Sequence, residues 1–189
     1  MSTTPERLIA STQELLWERG YVGTSPKAIQ QRAGAGQGSM YHHFSGKPDL
    51  ARAAIRRTAE QRMALAEEQF SAPGTAVERI SAYLRREREV LRGCPVGRLT
   101  QDPEIVADPV LREPVAETFA FLRGRLAAVL TEGQGLGELD PALDAASTAA
   151  TVVAVLQGGY VLARAADSAE PFHQATEGVI ALLTARELH

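Results

Sequence analysis

Between Ser25 and Lys47 the chain gathers a run of hydrogen-bonding side chains: Ser25, Gln37, Ser39, Tyr41, His42, His43 and Lys47, with Gly38 among them. Their shared chemistry is recognition rather than bond breaking. A glutamine can bond bidentately to adenine, and serine and histidine can bond base edges or phosphate. Tyrosine and lysine reach phosphate oxygens, and a glycine lets a backbone approach closely. Free N–H groups at helix starts attract phosphate as well, and two such starts are expected, at Ser25 and at Lys47-Pro48. His42 and His43 are adjacent on a helix and point in different directions, so they do not form a metal pair. No nucleophile elbow or phosphate loop occurs in the chain, so an enzyme is the weaker reading, and no cofactor or metal is expected.

These side chains need a scaffold, and the apolar periodicity is helical nearly throughout. Pro5 to Arg19 carries Leu8, Ile9, Leu15, Leu16 and Trp17 on one broad face and stops at Gly20. Thr24-Ser25-Pro26 starts a short helix, with Ser25 as N-cap and Pro26 in the first turn, that ends at Gly34. A second short helix runs from about Gln37 to Phe44. Two short helices across a glycine turn are helix-turn-helix geometry, with Ala28, Ile29, Ala33, Ala35 and Met40 filling the wedge. A long helix is expected over 48–70. Further helices follow over 76–92, a short one over 96–100, then 110–132, 142–166 and 171–186, with a loop-rich stretch around Pro103, Asp108 and Pro109. The fold class is all-α, with about nine helices: a three-helix head over 1–50, a larger helical body over 51–189, and helix 48–70 as the link.

Residues 8–55 resemble the DNA-binding head of TetR-type transcriptional regulators. The resemblance rests on Gly20-Tyr21-x-Gly-Thr24-Ser25-x3-Ile29-x3-Ala33-Gly34-Ala35-x2-Gly38-Ser39-Met40-Tyr41-His42-His43-Phe44-x2-Lys47-x2-Leu50. It implies that the third helix enters the major groove, with Gln37, Ser39 and His43 facing bases. Gly38, Tyr41, His42, Ser25 and Lys47 then contact the DNA backbone. Three residues depart from the family pattern: Gln30 where a small Ala is typical, Gly36 where Ser or Thr caps the recognition helix, and Gln37 where Lys is frequent. Gly93-Cys94-Pro95 also resembles a subset of family bodies with a Gly-Cys-Pro break.

The resemblance further implies that the body binds a small molecule and dimerises, and that two heads read a palindromic operator in double-stranded DNA. The repressor role is implied by the family alone. Candidate pocket residues are Met63, Tyr83, Cys94, Leu99, Phe119, Leu122, Gln157 and Tyr160, with Phe70, Leu84 and Leu126 as further wall residues. Gln157 and Tyr160 suit a pocket or a dimer contact equally, and Phe119, Leu122 and Leu126 also fit plain core packing. The helix over 142–166, apolar on more than one face, and the final helix suit a four-helix seam between two copies.

Composition fits this division. The chain has 189 residues and a formal charge of −3, with 44% hydrophobic and 23% charged residues, which is globular usage. Up to residue 60 there are eight basic against five acidic residues, and twelve against eighteen beyond it, so a basic head sits on an acidic body. Cys94 is the lone cysteine, which excludes an intrachain disulfide and a Cys-based zinc site, and it reads as a small buried hydrophobe before a redox sensor. The N-terminus lacks a signal-peptide pattern and Ala145 to Ala166 reads as a buried helix rather than a membrane span, so a cytoplasmic protein is expected. The alternative function is a helical protein-interaction adaptor that uses the head without DNA.

Overall fold

The computed structural model describes residues 3–187, without the side chain of Gln37. Among the described residues the fold is all-α. Nine α-helices follow in order: α1 (Thr4–Arg19), α2 (Pro26–Ala33), α3 (Gln37–His43), α4 (Lys47–Phe70), α5 (Ala76–Arg85), α6 (Pro103–Ala107), α7 (Pro109–Gly135), α8 (Ala145–Ala166) and α9 (Glu170–Thr184). Two 3-10 turns, Val90–Arg92 and Gly97–Gln101, lie between α5 and α6. The contacts divide the chain into two units. One holds the residues up to Gln61 together with Cys94–Thr118, and the other holds Arg62–Gly93 together with the residues from Phe119 on.

In the first unit, α1, α2 and α3 close around Leu8, Leu15, Ile29, Ala33, Met40 and Leu50, with Ile9, Ala28, Ala35 and Phe44 packed against them. Local chemistry sets each helix. The Thr3 backbone N–H donates to Glu6 Oε2 at 2.6 Å at the start of α1, and Gly20 ends the helix at φ 74°, a conformation that strains any other residue. Ser25 Oγ accepts from Ala28 N at 3.2 Å, and Gly34 closes α2 in the left-handed region at φ 59°. The later segment Cys94–Thr118 belongs to the same unit and ties back to it. Arg98 Nη1 donates to the Trp17 carbonyl at the end of α1. Arg56 bonds Glu113 at 3.0 Å and Glu117 at 3.4 Å, and Arg52 reaches Glu113 at 3.4 Å, so this α4 face is paired to α7 rather than merely solvated.

In the second unit α8 and α9 lie along each other. Val152, Leu156, Tyr160 and Ala163 are buried on α8, and Phe172, Val179, Ile180 and Leu183 on α9. A Cβ on Gly159 would stand 3.1 Å from Phe172 Cδ2, so this glycine permits the close approach of α9. α5 adds Ile80, Tyr83 and Leu84, and the ring of Tyr83 packs on Phe70 at 4.7 Å. The buried Arg79 donates to the Phe70 carbonyl and to Glu132 Oε2, each at 3.1 Å. α8 is long and apolar enough to cross a membrane by length and composition, but its buried stripe packs on α9, which makes it a core helix of this unit.

Glu67 carries a bidentate bond from Arg125, at 2.6 and 2.7 Å, and a bond from Ser71 Oγ at 2.6 Å. The Arg125 guanidinium first, then Ser71, hold its carboxyl down to about 2, from an ordinary 4.5. A carboxyl depressed in the folded state stabilises fully above its unfolded value and stops doing so as pH falls through the folded one. Glu67→Gln is therefore expected to lose less stability than the unmodified chain between pH 4.5 and 2, read by urea unfolding at each pH. The pair is partly exposed, so the difference is modest.

The structure corrects several element bounds. α5 ends at Arg85, seven residues before the expected stop, because Arg88 folds back and its Nη1 donates to Leu84 O at 2.7 Å and Arg86 O at 2.8 Å. The stretch expected to be loop-rich contains α6, capped by Asp102 with Pro103 at its first position. α8 starts at Ala145 rather than Ala142, because Asp144 Oδ1 accepts from Ala146 N at 3.0 Å and Ser147 N at 3.1 Å. Arg85 bonds Glu177 at 2.6 and 2.7 Å.

Candidate nucleic-acid interface

α2 buries Ile29 and Ala33 against α1 while α3 buries Met40, so the remaining sides of α3 are left to solvent. The turn between them is fixed by backbone bonds, Gly34 N to Gln31 O at 3.3 Å and Ala35 N to Gln30 O at 3.0 Å. Gln30, which replaces a small residue, turns its amide onto the sulfur of Met40 at 3.4 Å and so joins α2 to α3. Gly36 precedes α3 without a side-chain cap.

Only part of the expected polar face is exposed. Tyr41 is 52% exposed, His42, His43 and Gly38 are exposed, and Ser39 is half-buried. The side chain of Gln37 lies outside the described residues. The rings of His42 and His43 meet edge to face with centroids 4.8 Å apart. A Cβ on the helical Gly38 would meet nothing within 4 Å, so nothing inside this chain requires glycine there. Ser25 uses its oxygen as the cap acceptor and keeps its hydroxyl proton for an outside partner. Phe44 is half-buried on the head core, as its position beside the apolar face predicts.

Ser45 and Asp49 open α4, with Ser45 N donating to Asp49 Oδ2 at 3.0 Å, and this places Lys47 in the first turn. Lys47 Nζ sits 3.8 Å above the centroid of the Tyr21 ring. Tyr21 itself is buried, and its backbone N–H donates to Asp102 Oδ2 at 2.7 Å. Tyr21 carries no expected role beyond the motif, and Asp102 carries none at all. The available signal was Asp102-Pro103, the same cap-then-proline pair as Ser25-Pro26.

The candidate pocket residues divide between the units. Met63, Tyr83, Phe119, Leu122, Gln157 and Tyr160 lie in the second, with Tyr83, Leu122 and Tyr160 buried; the half-buried Cys94 and the buried Leu99 lie in the first. Of the further wall residues, Phe70, Leu84 and Leu126 are all buried. Clefts occur in the second unit between α5 and α9. One of about 390 Å³ is lined by Leu84, Arg88, Val90, Phe172 and Thr176, and another of about 530 Å³ by Val77, Ser81, Ile180 and Thr184. Tyr160 packs on Phe172 with ring centroids 4.8 Å apart, so its ring contact is with α9 of its own chain.

The outer sides of α8 and α9 carry exposed apolar residues: Val161 at 58%, Leu162 at 54% and Leu182 at 71%.

Comparison with known proteins adds to this geometry. Residues 8–54 match the family described as "Bacterial regulatory proteins, tetR family", and residues 75–179 match "Tetracyclin repressor-like, C-terminal domain". An uncharacterised HTH-type transcriptional regulator of Bacillus subtilis strain 168, YxaF, is 26% identical over 165 residues, 83% of each chain. The crystal structure of a TetR transcriptional regulator from Chloroflexus aurantiacus J-10-FL superposes with a TM-score of 0.83 at 28% identity, over 97% of this chain and 96% of that one. The Bacillus subtilis regulator FadR, solved in complex with stearoyl-CoA, shares the fold with a TM-score of 0.73 at 21% identity, over 94% and 96% of the two chains.

Proposed function

Because this chain belongs to the TetR family of bacterial transcriptional regulators, we propose that it is a repressor that holds a palindromic operator as a homodimer and leaves it when a small molecule occupies the body. Regulators of this family bind DNA and small-molecule effectors and act as dimers. The chain is accordingly a DNA-binding transcriptional regulator and not an enzyme. The observation that supports the finer reading is the face of α3: a short helix that leaves Tyr41, His42 and His43 exposed, flanked by Ser25 and Lys47 at two helix starts.

In this reading Gln37, Ser39 and His43 face bases, while Ser25, Gly38, Tyr41, His42 and Lys47 hold phosphates. Residues 1–50 read the DNA and residues 51–189 bind ligand and dimerise, with α4 linking the two. Met63, Tyr83, Phe119, Leu122, Gln157 and Tyr160 supply the effector site in the second unit. The protein works in the cytoplasm, where its operator is. A ligand that binds the released form better than the DNA-bound form by a few kcal/mol suffices to empty the operator.

Tyr41→Ala and Lys47→Ala are each expected to weaken operator binding by about tenfold or more per dimer, at about 1 kcal/mol or more for each lost charged or polar contact. Gly38→Ala separates recognition from folding. It is expected to leave the melting temperature unchanged or higher, because alanine favours a helix by up to about 1 kcal/mol over glycine, while operator affinity falls because the methyl group meets the DNA backbone. Fluorescence anisotropy on a labelled duplex, with thermal unfolding beside it, reads both. Full affinity in all three variants contradicts the assigned interface.

A further inference from the structure

The Asp102 carboxylate is shared between two segments far apart in sequence. Its Oδ2 accepts from the backbone N–H groups of Tyr21 at 2.7 Å and Val22 at 3.1 Å, and its Oδ1 accepts from Glu104 N at 3.2 Å and Ile105 N at 3.4 Å in the first turn of α6. Asp102 is buried, and the bend that presents the two N–H groups depends on Gly20, where a Cβ would stand 2.9 Å from Oδ2. The bonded residue, Tyr21, offers the face of its ring to Lys47 Nζ at 3.8 Å. Burial first, then Glu104 and Asp108, raise the Tyr21 pKa, so the ring stays a neutral phenol and holds the ammonium through its π face.

We infer that Asp102 is a positioning residue for DNA binding: it fixes the Gly20–Tyr21 bend, and through the Tyr21 ring it pre-orders Lys47 toward a phosphate. A free lysine stem loses rotamer freedom when it meets a phosphate. A lysine already seated on a ring loses less, so the contact is stronger. The inference rests on Lys47 being a phosphate contact. All the groups involved lie within the first unit.

The test uses the full chain and a duplex selected by the unmodified protein from a random pool, with affinity measured from 50 to 300 mM KCl. Lys47→Gln removes one phosphate contact per head and is expected to lower the slope of log affinity against log salt by about two for the dimer. Asp102→Asn places an amide opposite the Tyr21 and Val22 N–H groups, and is expected to cost about tenfold in affinity and to lower the salt slope in the same direction. The Lys47→Gln, Asp102→Asn pair is expected to bind no more weakly than Lys47→Gln alone. Tyr21→Leu, which keeps the backbone bonds and removes the ring, should repeat the loss, whereas Tyr21→Phe, which keeps the ring face, should bind as the unmodified chain does. These two variants carry the test if Asp102→Asn fails to fold.

Losses that add in the pair, or an unchanged salt slope in both Asp102→Asn and Tyr21→Leu beside a reduced slope in Lys47→Gln, overturn the inference alone. An unchanged slope in Lys47→Gln overturns the phosphate reading of Lys47 and the inference with it.

Discussion

A Val161→Arg, Leu182→Arg double variant is expected to run as a monomer in light scattering and to bind the operator at least about a hundredfold more weakly than the unmodified chain. Both side chains stand on the outer faces of α8 and α9, exposed at 58% and 71%, while the inner faces of the same helices form the core of the second unit. An apolar residue in that position gains little from folding and much from a second copy, at about 25 cal/mol for each Å² removed from water. Two arginines per copy bring four cations to the seam with no partner built for them, which costs several kcal/mol. A monomer then places one head on one half-site and loses the effective concentration that joins the second head to the first. Circular dichroism should be unchanged, because neither residue contributes to the core of its own chain. A variant that stays dimeric places the seam elsewhere.

The second large effect is expected from Ile29→Ala, which removes a fully buried side chain at the junction of α1, α2 and α3. Core truncations of this kind cost about 2–5 kcal/mol. The head core is small, with Leu8, Leu15, Met40 and Leu50 as its other large members, so the neighbours cannot collapse into the space without moving α3. In a unit of this size such a loss lowers the melting temperature by about 10–40 °C. Operator binding should disappear well below the temperature at which the unmodified chain lets go. An unchanged melting temperature contradicts the core role of Ile29.

How far these features were legible in the sequence depends on how local their causes are. α2, its turn and α3 follow from residues within a few positions of one another: Ser25 and Pro26 at the start, Gly34 in the left-handed region at the stop, and Ile29, Ala33 and Met40 facing inward. The exposed face of α3 follows from the same periodicity. The end of α5 was not legible, because Arg85 to Glu89 contains only residues that favour helices, and the stop is made by Arg88 reaching back to the carbonyls of Leu84 and Arg86. α6 was hidden by its prolines, which read as loop punctuation although Asp102 caps the helix as Ser25 caps α2. The pocket was least legible, since its walls depend on which helices meet. Seven residues named from apolar spacing, Phe70, Tyr83, Leu84, Leu99, Leu122, Leu126 and Tyr160, prove to be buried, and burial of this kind serves a core as readily as a ligand. The basic head and acidic body were visible from counting alone. The pairing of Arg52 and Arg56 with Glu113 and Glu117 shows that part of that basic charge is already compensated within the first unit.

Every role proposed for the head depends on sequence-specific binding by the dimer through α3. The most direct measurement is selection of duplexes from a fully randomised pool by the unmodified chain, repeated with a Ser39→Ala, His43→Ala variant. The unmodified chain is expected to enrich an inverted repeat whose two half-sites lie about one helical turn apart, with binding that weakens steeply as salt rises. The variant should keep the spacing and relax the base preference at the positions those two side chains face. Enrichment of no sequence at all, or of the same sequence with the same preference in both proteins, contradicts it.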